Sequence, residues 1–280
     1  MSETRVAGKF RLRWSLLCIL ALLTVDAAHA IIIRHDRSYA SYRVRESDFP
    51  AIFFLERQGS RKVCVATLID PQWALTAAHC ASETGLQQTL NSEHRFVVEV
   101  AGRQRQIRQL VLHPRYQPDS PAEVDLALLQ FAEPLDYPGP IALNVDPGES
   151  GRTVSLLGWG FFGIGTTGRQ YDDGLFRMAH NRIELADRRL LIRFDDPRDP
   201  ESGALDLEGM PGLGDSGGPA LLRQDDRWLL AGIAVGEIMG ASFSEETQGS
   251  YGAIAVYERV SRHLEWIRRT ISEDHSLASE

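Results

Sequence analysis

The apolar residues of this chain lie in short segments, and turn-forming residues separate one segment from the next. Within each segment, β-branched, aromatic and aliphatic side chains alternate with polar ones or cluster together. Many short segments spaced in this way are typical of an antiparallel barrel or sandwich. The sequence therefore predicts an all-β protein, with strands near residues 51–55, 63–69, 95–100, 106–112, 126–131, 153–157, 190–194, 228–235 and 252–257.

A helical pattern occurs only near the end of the chain. Val260, Leu264, Ile267 and Ile271 follow one another at steps of four, three and four residues. This spacing places the four side chains on one face of an α-helix. We therefore expect one amphipathic helix to dock there on its apolar face.

The composition is that of a globular protein. The chain has 280 residues, of which 43% are hydrophobic, so it can bury a core without a disulfide scaffold. It carries 30 Lys and Arg against 38 Asp and Glu, a formal net charge of −8. Affinity for nucleic acid comes mostly from clustered basic side chains. The charge therefore argues against a nucleic-acid partner.

The first thirty residues have the pattern of a secretory signal peptide. Lys9, Arg11 and Arg13 precede an apolar run over residues 14–25, and small residues stand at the positions that a signal peptidase recognises before a cut after Ala30. An uncleaved anchor is the alternative, but twelve residues span only about 18 Å as a helix, less than the ~30 Å hydrocarbon core. The sequence predicts a secreted or periplasmic protein that does not stay in the membrane.

Cleavage after Ala30 removes Cys18 and leaves Cys64 and Cys80. An even pair of cysteines in an exported chain predicts a disulfide.

Two irregular stretches and a tail complete the organisation. Residues 158–174 are rich in glycine and predict a surface loop, since no strand-then-helix context supports a phosphate cradle. Residues 195–208 are acidic, and a solvated loop is favoured over a calcium site because the carboxylates lack EF-hand spacing. We assign residues 31–272 to one domain and residues 273–280 to a polar tail.

Three local motifs stand in the order His, Asp, Ser. They are Thr76-Ala77-Ala78-His79-Cys80, Asp125-Leu126-Ala127-Leu128-Leu129 and Gly214-Asp215-Ser216-Gly217-Gly218-Pro219. Each motif alone also fits a core histidine, a strand-end aspartate or a glycine loop. Together they supply the three groups that nucleophilic acyl transfer needs.

The predicted roles follow from the chemistry of each group. A serine hydroxyl is a poor nucleophile, so Ser216 needs a base, and His79 titrates in the right range. Asp125 then holds the imidazole and stabilises its charged form. The N–H groups of Gly214 and Ser216 can point together at the developing oxyanion.

These motifs resemble those of the trypsin- and chymotrypsin-like serine endopeptidases, and the resemblance covers nearly all of the chain after residue 30. It extends to residues 63–69, 72–80, 113–116, 157–160, 230–235 and 257–267, in order and spacing. The resemblance implies two six-stranded antiparallel β-barrels packed together, with the active site between them and a C-terminal helix. It also implies that a Cys64–Cys80 disulfide closes the loop that carries His79, and that catalysis uses no metal or organic cofactor.

The family also implies a role for the mature N-terminus. A freed Ile or Val amino group pairs with the Asp before the catalytic Ser, which here is Asp215. Cleavage after Ala30 exposes Ile31, so we expect signal peptidase to create the active N-terminus without a zymogen. Ile33 and Arg34 stand where the family has two glycines, and a propeptide cut after Arg43 is the alternative.

Three positions bear on substrate preference. Trypsins have an Asp six residues before the catalytic Ser, where this chain has Met210, and Glu208 is only a displaced candidate for that role. Ala255 replaces a wall glycine and Glu237 falls near another. This pocket favours small or medium neutral side chains, although Glu237 could instead attract a basic residue at the rim. The serine that supports the family's Asp is missing, since Ala234 occupies that stretch.

The sequence thus predicts a secreted serine endopeptidase of a bacterial type, with few cysteines. Its partners are protein or peptide substrates and proteinaceous inhibitors. A catalytically weak homologue that acts as a binding module is the alternative. An esterase-like hydrolase is disfavoured because Ser216 does not lie in the strand-turn-helix elbow of that class.

Overall fold

The computed structural model describes residues 31–118, 123–238 and 248–277, and strands dominate them. The predicted signal peptide lies outside the described residues. The strands are β1 (Ile32–Ile33), β2 (Ile52–Gln58), β3 (Arg61–Asp70), β4 (Trp73–Thr76), β5 (Phe96–Val100), β6 (Arg103–Leu112), β7 (Ala127–Phe131), β8 (Ala142–Leu143), β9 (Thr153–Gly158), β10 (Phe162–Ile164), β11 (Gly168–Tyr171), β12 (Arg177–Arg182), β13 (Leu185–Ala186), β14 (Arg189–Arg193), β15 (Gly209–Met210), β16 (Pro219–Gln224), β17 (Arg227–Ile238) and β18 (Ile254–Arg259). The α-helices are α1 (Cys80–Glu83), α2 (Leu86–Asn91) and α3 (Leu264–Leu277), and 3-10 helices span Tyr39–Tyr42, Glu46–Asp48 and Val260–Arg262.

The first half of the chain forms one antiparallel sheet in the order β2-β3-β4-β7-β6-β5. Its outer strands, β2 and β5, pack against each other and close the sheet into a barrel. In β5, Phe96, Val98 and Val100 are buried while Val97 and Glu99 are exposed. This alternation is the period of a strand with one face toward a core.

The second half forms another sheet, whose main strands follow the order β12-β9-β16-β17-β18-β14. The two-residue strands β13 and β8 are added beside β14 and β17, and β12 also packs against β14. Two barrel-like sheets and a C-terminal helix confirm the predicted all-β fold.

A third, four-stranded sheet has the order β11-β10-β1-β15. Its β10–β11 hairpin lies in residues 158–174, so the prediction of a surface loop there was wrong. Trp159 and Phe162 are 1% and 0% exposed. A Cβ at Gly163 would lie 2.0 Å from the Gly168 carbonyl oxygen, so the glycine permits close strand packing. These strands are too short to show a period of two in the sequence.

The acidic segment 195–208 folds around its own carboxylates. Glu208 is buried and accepts hydrogen bonds from the N–H groups of Asp195 and Leu205, at 2.7 and 2.5 Å. Burial raises the pKa of Glu208 to about 7. Arg34 donates to the Leu205 carbonyl at 2.6 Å, so this loop also holds the segment after β1. Glu208 therefore serves the loop and does not stand in for the missing pocket aspartate.

The C-terminal helix returns to the first barrel. Trp266 and Ile267 are buried in the same core as the strands of that barrel, and Asp274 of α3 accepts hydrogen bonds from Arg108 on β6 and Gln130 on β7. The helix reaches Leu277, so it overlaps the segment from residue 273 that the sequence sets apart as a polar tail. No helix in the described parts of the chain is long and apolar enough to span a bilayer.

Candidate active site

His79 and Asp125 meet at one edge of the first barrel. His79 follows β4 and Asp125 precedes β7, and these antiparallel strands pair Thr76 with Ala127 at that edge. His79 Nδ1 lies 2.6 Å from Asp125 Oδ2, and the His79 main-chain N–H donates to Asp125 Oδ1 at 2.9 Å. The carboxylate therefore orients both the ring and the backbone of His79. With the ring proton on Nδ1, Nε2 is free to act as a base.

Two opposing effects set the pKa of His79. Burial lowers the pKa of the imidazole, while the hydrogen bond to Asp125 and the charges of Asp125 and Glu83 raise it. The net result is a pKa above the ordinary value for His. Asp125 thus stabilises the imidazolium that forms when His79 accepts a proton.

Ser216 is carried by the loop between β15 and β16, and this loop is hydrogen-bonded to the first barrel. The N–H groups of Val65 and Cys64 on β3 donate to the carbonyls of Ser216 and Gly214, at 2.7 and 3.0 Å. Ser216, His79 and Asp125 line one cleft of about 800 Å³. Among the described contacts there is no hydrogen bond between Ser216 Oγ and the His79 ring.

In the serine loop, the N–H groups of Gly214 and Ser216 have no hydrogen-bond acceptor among the described residues. The N–H of Asp215, between them, donates to the Gly212 carbonyl at 3.0 Å. Gly214 has a φ of +95°, in the region that favours glycine. The loop therefore leaves two neighbouring donors available for a bound oxygen atom.

Asp215 is a buried carboxylate. It accepts hydrogen bonds from the N–H groups of Gly160 and Gly212, at 2.6 and 2.9 Å. Burial raises the pKa of Asp215 to about 7, and no ion pair to it is formed among the described residues. Ile31 is fully buried, and in the 280-residue chain its nitrogen belongs to a peptide bond. The predicted ion pair between Ile31 and Asp215 requires a free amino group at Ile31, so it stays a prediction for a cleaved chain.

The three predicted specificity residues do not all reach the cleft surface. Glu237 lines the cleft, and its Oε1 accepts a hydrogen bond from the Gly249 N–H at 3.3 Å. Met210 and Ala255 are fully buried in one apolar cluster behind it. Ala255 pairs directly with Glu237 across β17 and β18, so the two side chains share a face of the sheet.

Other cleft residues were not singled out by the sequence. These cleft residues are Pro211, Gly212, Leu213, Val235, Gly236 and Val256, and they lie beside Ala234, which the sequence did single out. The pattern of apolar residues in the sequence does not distinguish positions that line the cleft from positions that lie in the core.

Glu258 and Arg189 were also missed. The Asp125 N–H donates to Glu258 Oε1 at 3.1 Å, and Arg189 also lines the cleft. Both residues belong to second-barrel strands far from Asp125 in sequence, where a charged residue is usually read as solvent-exposed.

Cys64, His79 and Cys80 place three possible metal-ligand atoms within 4.8 Å of one another. A disulfide joins the two sulfur atoms, as predicted, with an S–S distance of 2.05 Å. Cysteine binds metal as a thiolate. This cluster is therefore a disulfide beside the histidine and does not fit a metal site.

The first curated relatives are much longer than this chain. Ovochymase of Halocynthia roretzi is 28% identical over 229 residues, which cover 74% of this chain and 13% of that protein. Transmembrane protease serine 9 of Rattus norvegicus is 30% identical over 244 residues, 79% of this chain and 21% of that protein. An uncharacterized peptidase of Corynebacterium glutamicum is 26% identical over 262 residues, 90% of this chain and 80% of that protein.

Among solved structures, neuropsin, a serine protease of mouse brain, superposes with a TM-score of 0.60 at 19% identity, over 82% of this chain and 98% of that one. This likeness supports the fold alone. The trypsin family model matches residues 40–267, which is most of the chain. The predicted resemblance is confirmed, and the chain belongs to the trypsin family of serine proteases.

Proposed function

We propose that this protein is a secreted serine endopeptidase that hydrolyses peptide bonds through an acyl-enzyme on Ser216. The observation that carries the proposal is the pairing of His79 Nδ1 with Asp125 at 2.6 Å, in the cleft that Ser216 also lines. The two unpaired N–H groups of Gly214 and Ser216 add the second element that acyl transfer requires.

The reaction has two halves. Ser216 Oγ attacks the scissile carbonyl carbon while His79 Nε2 takes the hydroxyl proton, and the carbonyl oxygen becomes an oxyanion on the N–H groups of Gly214 and Ser216. The C–N bond then breaks as His79 returns the proton to the leaving amine. In the second half, water gives a proton to His79 and attacks the ester, which releases the acid and restores Ser216.

Cleavage after Ala30 completes the site in this proposal. The new amino group of Ile31 pairs with the Asp215 carboxylate, which is buried and has no ion pair among the described residues. The partner charge lowers the pKa of Asp215 and fixes the loop that carries Gly214. Mass mapping of the secreted protein is expected to find Ile31 first; a start at Val44 would support propeptide removal instead.

For the scissile bond we propose small or medium neutral side chains. Met210 and Ala255 contribute no charge behind the cleft, and burial of an unpaired Arg or Lys there is unfavourable. At the rim, Glu237 already accepts a hydrogen bond from the Gly249 N–H, and burial raises the pKa of its carboxyl above the usual range. Dominant cleavage after Arg in a panel of peptides ending in Ala, Val, Leu, Phe or Arg would refute this preference.

Peptide hydrolysis by the mature protein tests the function itself. We expect turnover in the native protein and loss of it in Ser216→Ala and His79→Ala, with the fold retained. A folded, correctly processed protein without turnover, which binds peptides equally well with Ser or Ala at position 216, would support the binding-module alternative. The Ala234 that replaces the family's supporting serine is the observation that favours that alternative.

A further inference from the structure

Among the described residues, only His79 forms hydrogen bonds with the Asp125 carboxylate. Its two oxygens contact the ring and the main-chain N–H of His79. Ala234, which also lines the cleft, has no hydroxyl to donate to it. Something else must keep Asp125 in register with His79, because a carboxylate on a loop end can rotate away.

The main chain of this segment is bound by an ion pair from the second barrel. The Asp125 N–H donates to Glu258 Oε1 at 3.1 Å. Arg189 Nε donates to the same oxygen at 2.7 Å, and Arg189 Nη2 donates to the Glu123 carbonyl at 2.6 Å. Two groups on neighbouring strands therefore hold the backbone at Asp125 and at the residue two positions before it.

The pair is built into the sheet. Arg189 on β14 and Glu258 on β18 are direct register partners in the sheet of the second barrel. The Glu258 side chain is only 2% exposed, and its other oxygen lies 3.6 Å from His263 Nε2. Burial raises the pKa of this carboxyl, but the contacts with His263, Arg189 and the Asp125 N–H outweigh it, so the net pKa is lowered. Glu258 therefore remains an ionised acceptor at neutral pH.

We propose that Glu258, anchored by Arg189, is a positioning residue for the triad: it fixes the Asp125 backbone so that the Asp125 carboxylate meets both donors of His79. The inference rests on the proposed triad and names the element that supports it. Glu258 acts through Asp125 and does not contact the reacting atoms. The two barrels are thus coupled at the aspartate as well as at the serine.

The test separates an effect on the position of Asp125 from an effect on the stability of the fold. Glu258→Ala removes the buried carboxylate that pairs with Arg189 and accepts the Asp125 N–H, so we expect a lower Tm and a lower kcat. The double variant Glu258→Ala/Arg189→Ala removes both charges of the pair and is expected to recover most of the Tm. Its kcat stays about 10-fold to 100-fold below that of the native enzyme, because a misplacement of about 1 Å can cost ~100-fold.

Glu258→Gln keeps an oxygen for the Asp125 N–H and is expected to retain kcat within about 3-fold. The matched control is Glu184→Ala/Arg193→Ala, which removes the exposed ion pair of another β14 arginine at 3.0 Å. We expect the control to leave kcat, KM and the pH profile unchanged.

The pKa of His79, followed by NMR titration, gives a readout that does not need turnover. Asp125 and Glu83 are the charged groups that raise this pKa. A displaced Asp125 lowers it, so the double variant is expected to show a lower His79 pKa and an acidic limb of kcat/KM at lower pH. A double variant with native kcat and native His79 pKa would overturn the inference, as would Glu258→Gln behaving like Glu258→Ala at equal Tm.

A native protein without Ser216-dependent turnover would refute the proposed function instead. The NMR titration would then still decide whether Glu258 positions Asp125.

Discussion

Gly214 must meet two requirements at once, one on its backbone conformation and one on the direction of its N–H. Its φ of +95° is unfavourable for any residue with a Cβ, and a Cβ there would lie 3.3 Å from Gly160 Cα and 3.4 Å from the Lys62 carbonyl oxygen. Its N–H is one of the two unpaired donors beside Ser216. Conformation and donor direction are therefore linked at this position.

Gly214→Ala is expected to turn the N–H away from the oxyanion and to lower kcat/KM by about 100-fold to 1000-fold, the effect of losing one such donor. Steady-state kinetics on a peptide substrate measures this. Gly102→Ala is the control, because Gly102 also has a positive φ of +74° but lies in an open turn with nothing within 4 Å. We expect the control to lose about 1 kcal/mol of stability and no activity. Equal kinetics in the two variants would contradict the role of Gly214.

The raised pKa of Asp215 predicts that the stability of the uncleaved chain depends on pH. The folded chain keeps a proton on this carboxyl up to a pKa of about 7. The unfolded chain loses that proton above the ordinary Asp pKa of about 3.9, so unfolding releases a proton between the two values. The contribution of Asp215 to stability is therefore present at low pH and is lost as the pH rises through about 7.

Asp215→Asn removes this loss of stability at higher pH, because the asparagine side chain does not titrate. In urea unfolding of the uncleaved chain, the variant is expected to gain stability relative to the native sequence more at about pH 8 than at about pH 4. In the cleaved protein the same substitution removes the proposed partner of Ile31, and activity is expected to fall. A stability difference that is the same at both pH values would contradict the raised pKa.

At the scale of elements, the short strand β1 explains why this chain departs from the family's two glycines. Ile33 is fully buried in β1, which pairs with β10 on one side and with β15 on the other. Arg34, 6% exposed, donates to both Asp36 oxygens and to the Leu205 carbonyl. The N-terminal segment is thus fixed by a buried strand and by the acidic loop.

Arg34→Ala is expected to lower the free energy of unfolding by about 1.5–3 kcal/mol, the range for hydrogen bonds of a charged group. Arg37→Ala is the matched control, since Arg37 is 36% exposed and pairs with Asp206 and Asp36, whose side chains are 78% and 37% exposed. An exposed pair contributes about 0–1 kcal/mol. Urea unfolding of both variants decides, and an equal loss in the two would contradict the role assigned to Arg34.

At the scale of the molecule, the active site depends on contacts between the barrels. The serine loop is hydrogen-bonded to β3, the Asp125 segment is held by β14 and β18, and α3 returns to pack on the first barrel. Each barrel therefore supplies part of the proposed triad and part of the support for the other barrel's residue.

Each of the nine segments expected from the sequence overlaps a strand of the structure. The sequence missed the two- to four-residue strands such as β1 and β15, because they are too short to show a period. It also missed the six-residue strands β12 and β16. In β12, Arg177 and Asn181 are buried through polar contacts: Arg177 pairs with Asp173 at 2.8 Å, and Asn181 donates to the Gly209 carbonyl.

The residues of the candidate site also fall into two groups, those that the sequence identifies and those that it does not. His79, Asp125 and Ser216 stand in local motifs, so the sequence could single them out, although their roles stay predictions. Glu258 and Arg189 could not be found, because neither lies in a motif and their contact with the Asp125 segment arises only when the barrels pack. Supporting contacts from residues that are distant in sequence can be identified only when the fold is known.

The central claim is that Ser216 is a nucleophile activated by His79. Treatment of the mature protein with a fluorophosphonate, followed by mass spectrometric location of the modified residue, tests it most directly. The account predicts a single modification on Ser216 that is absent in Ser216→Ala and strongly slowed in His79→Ala. Folded protein with Ile31 at its N-terminus that is not modified, or that is modified at another residue, would contradict it.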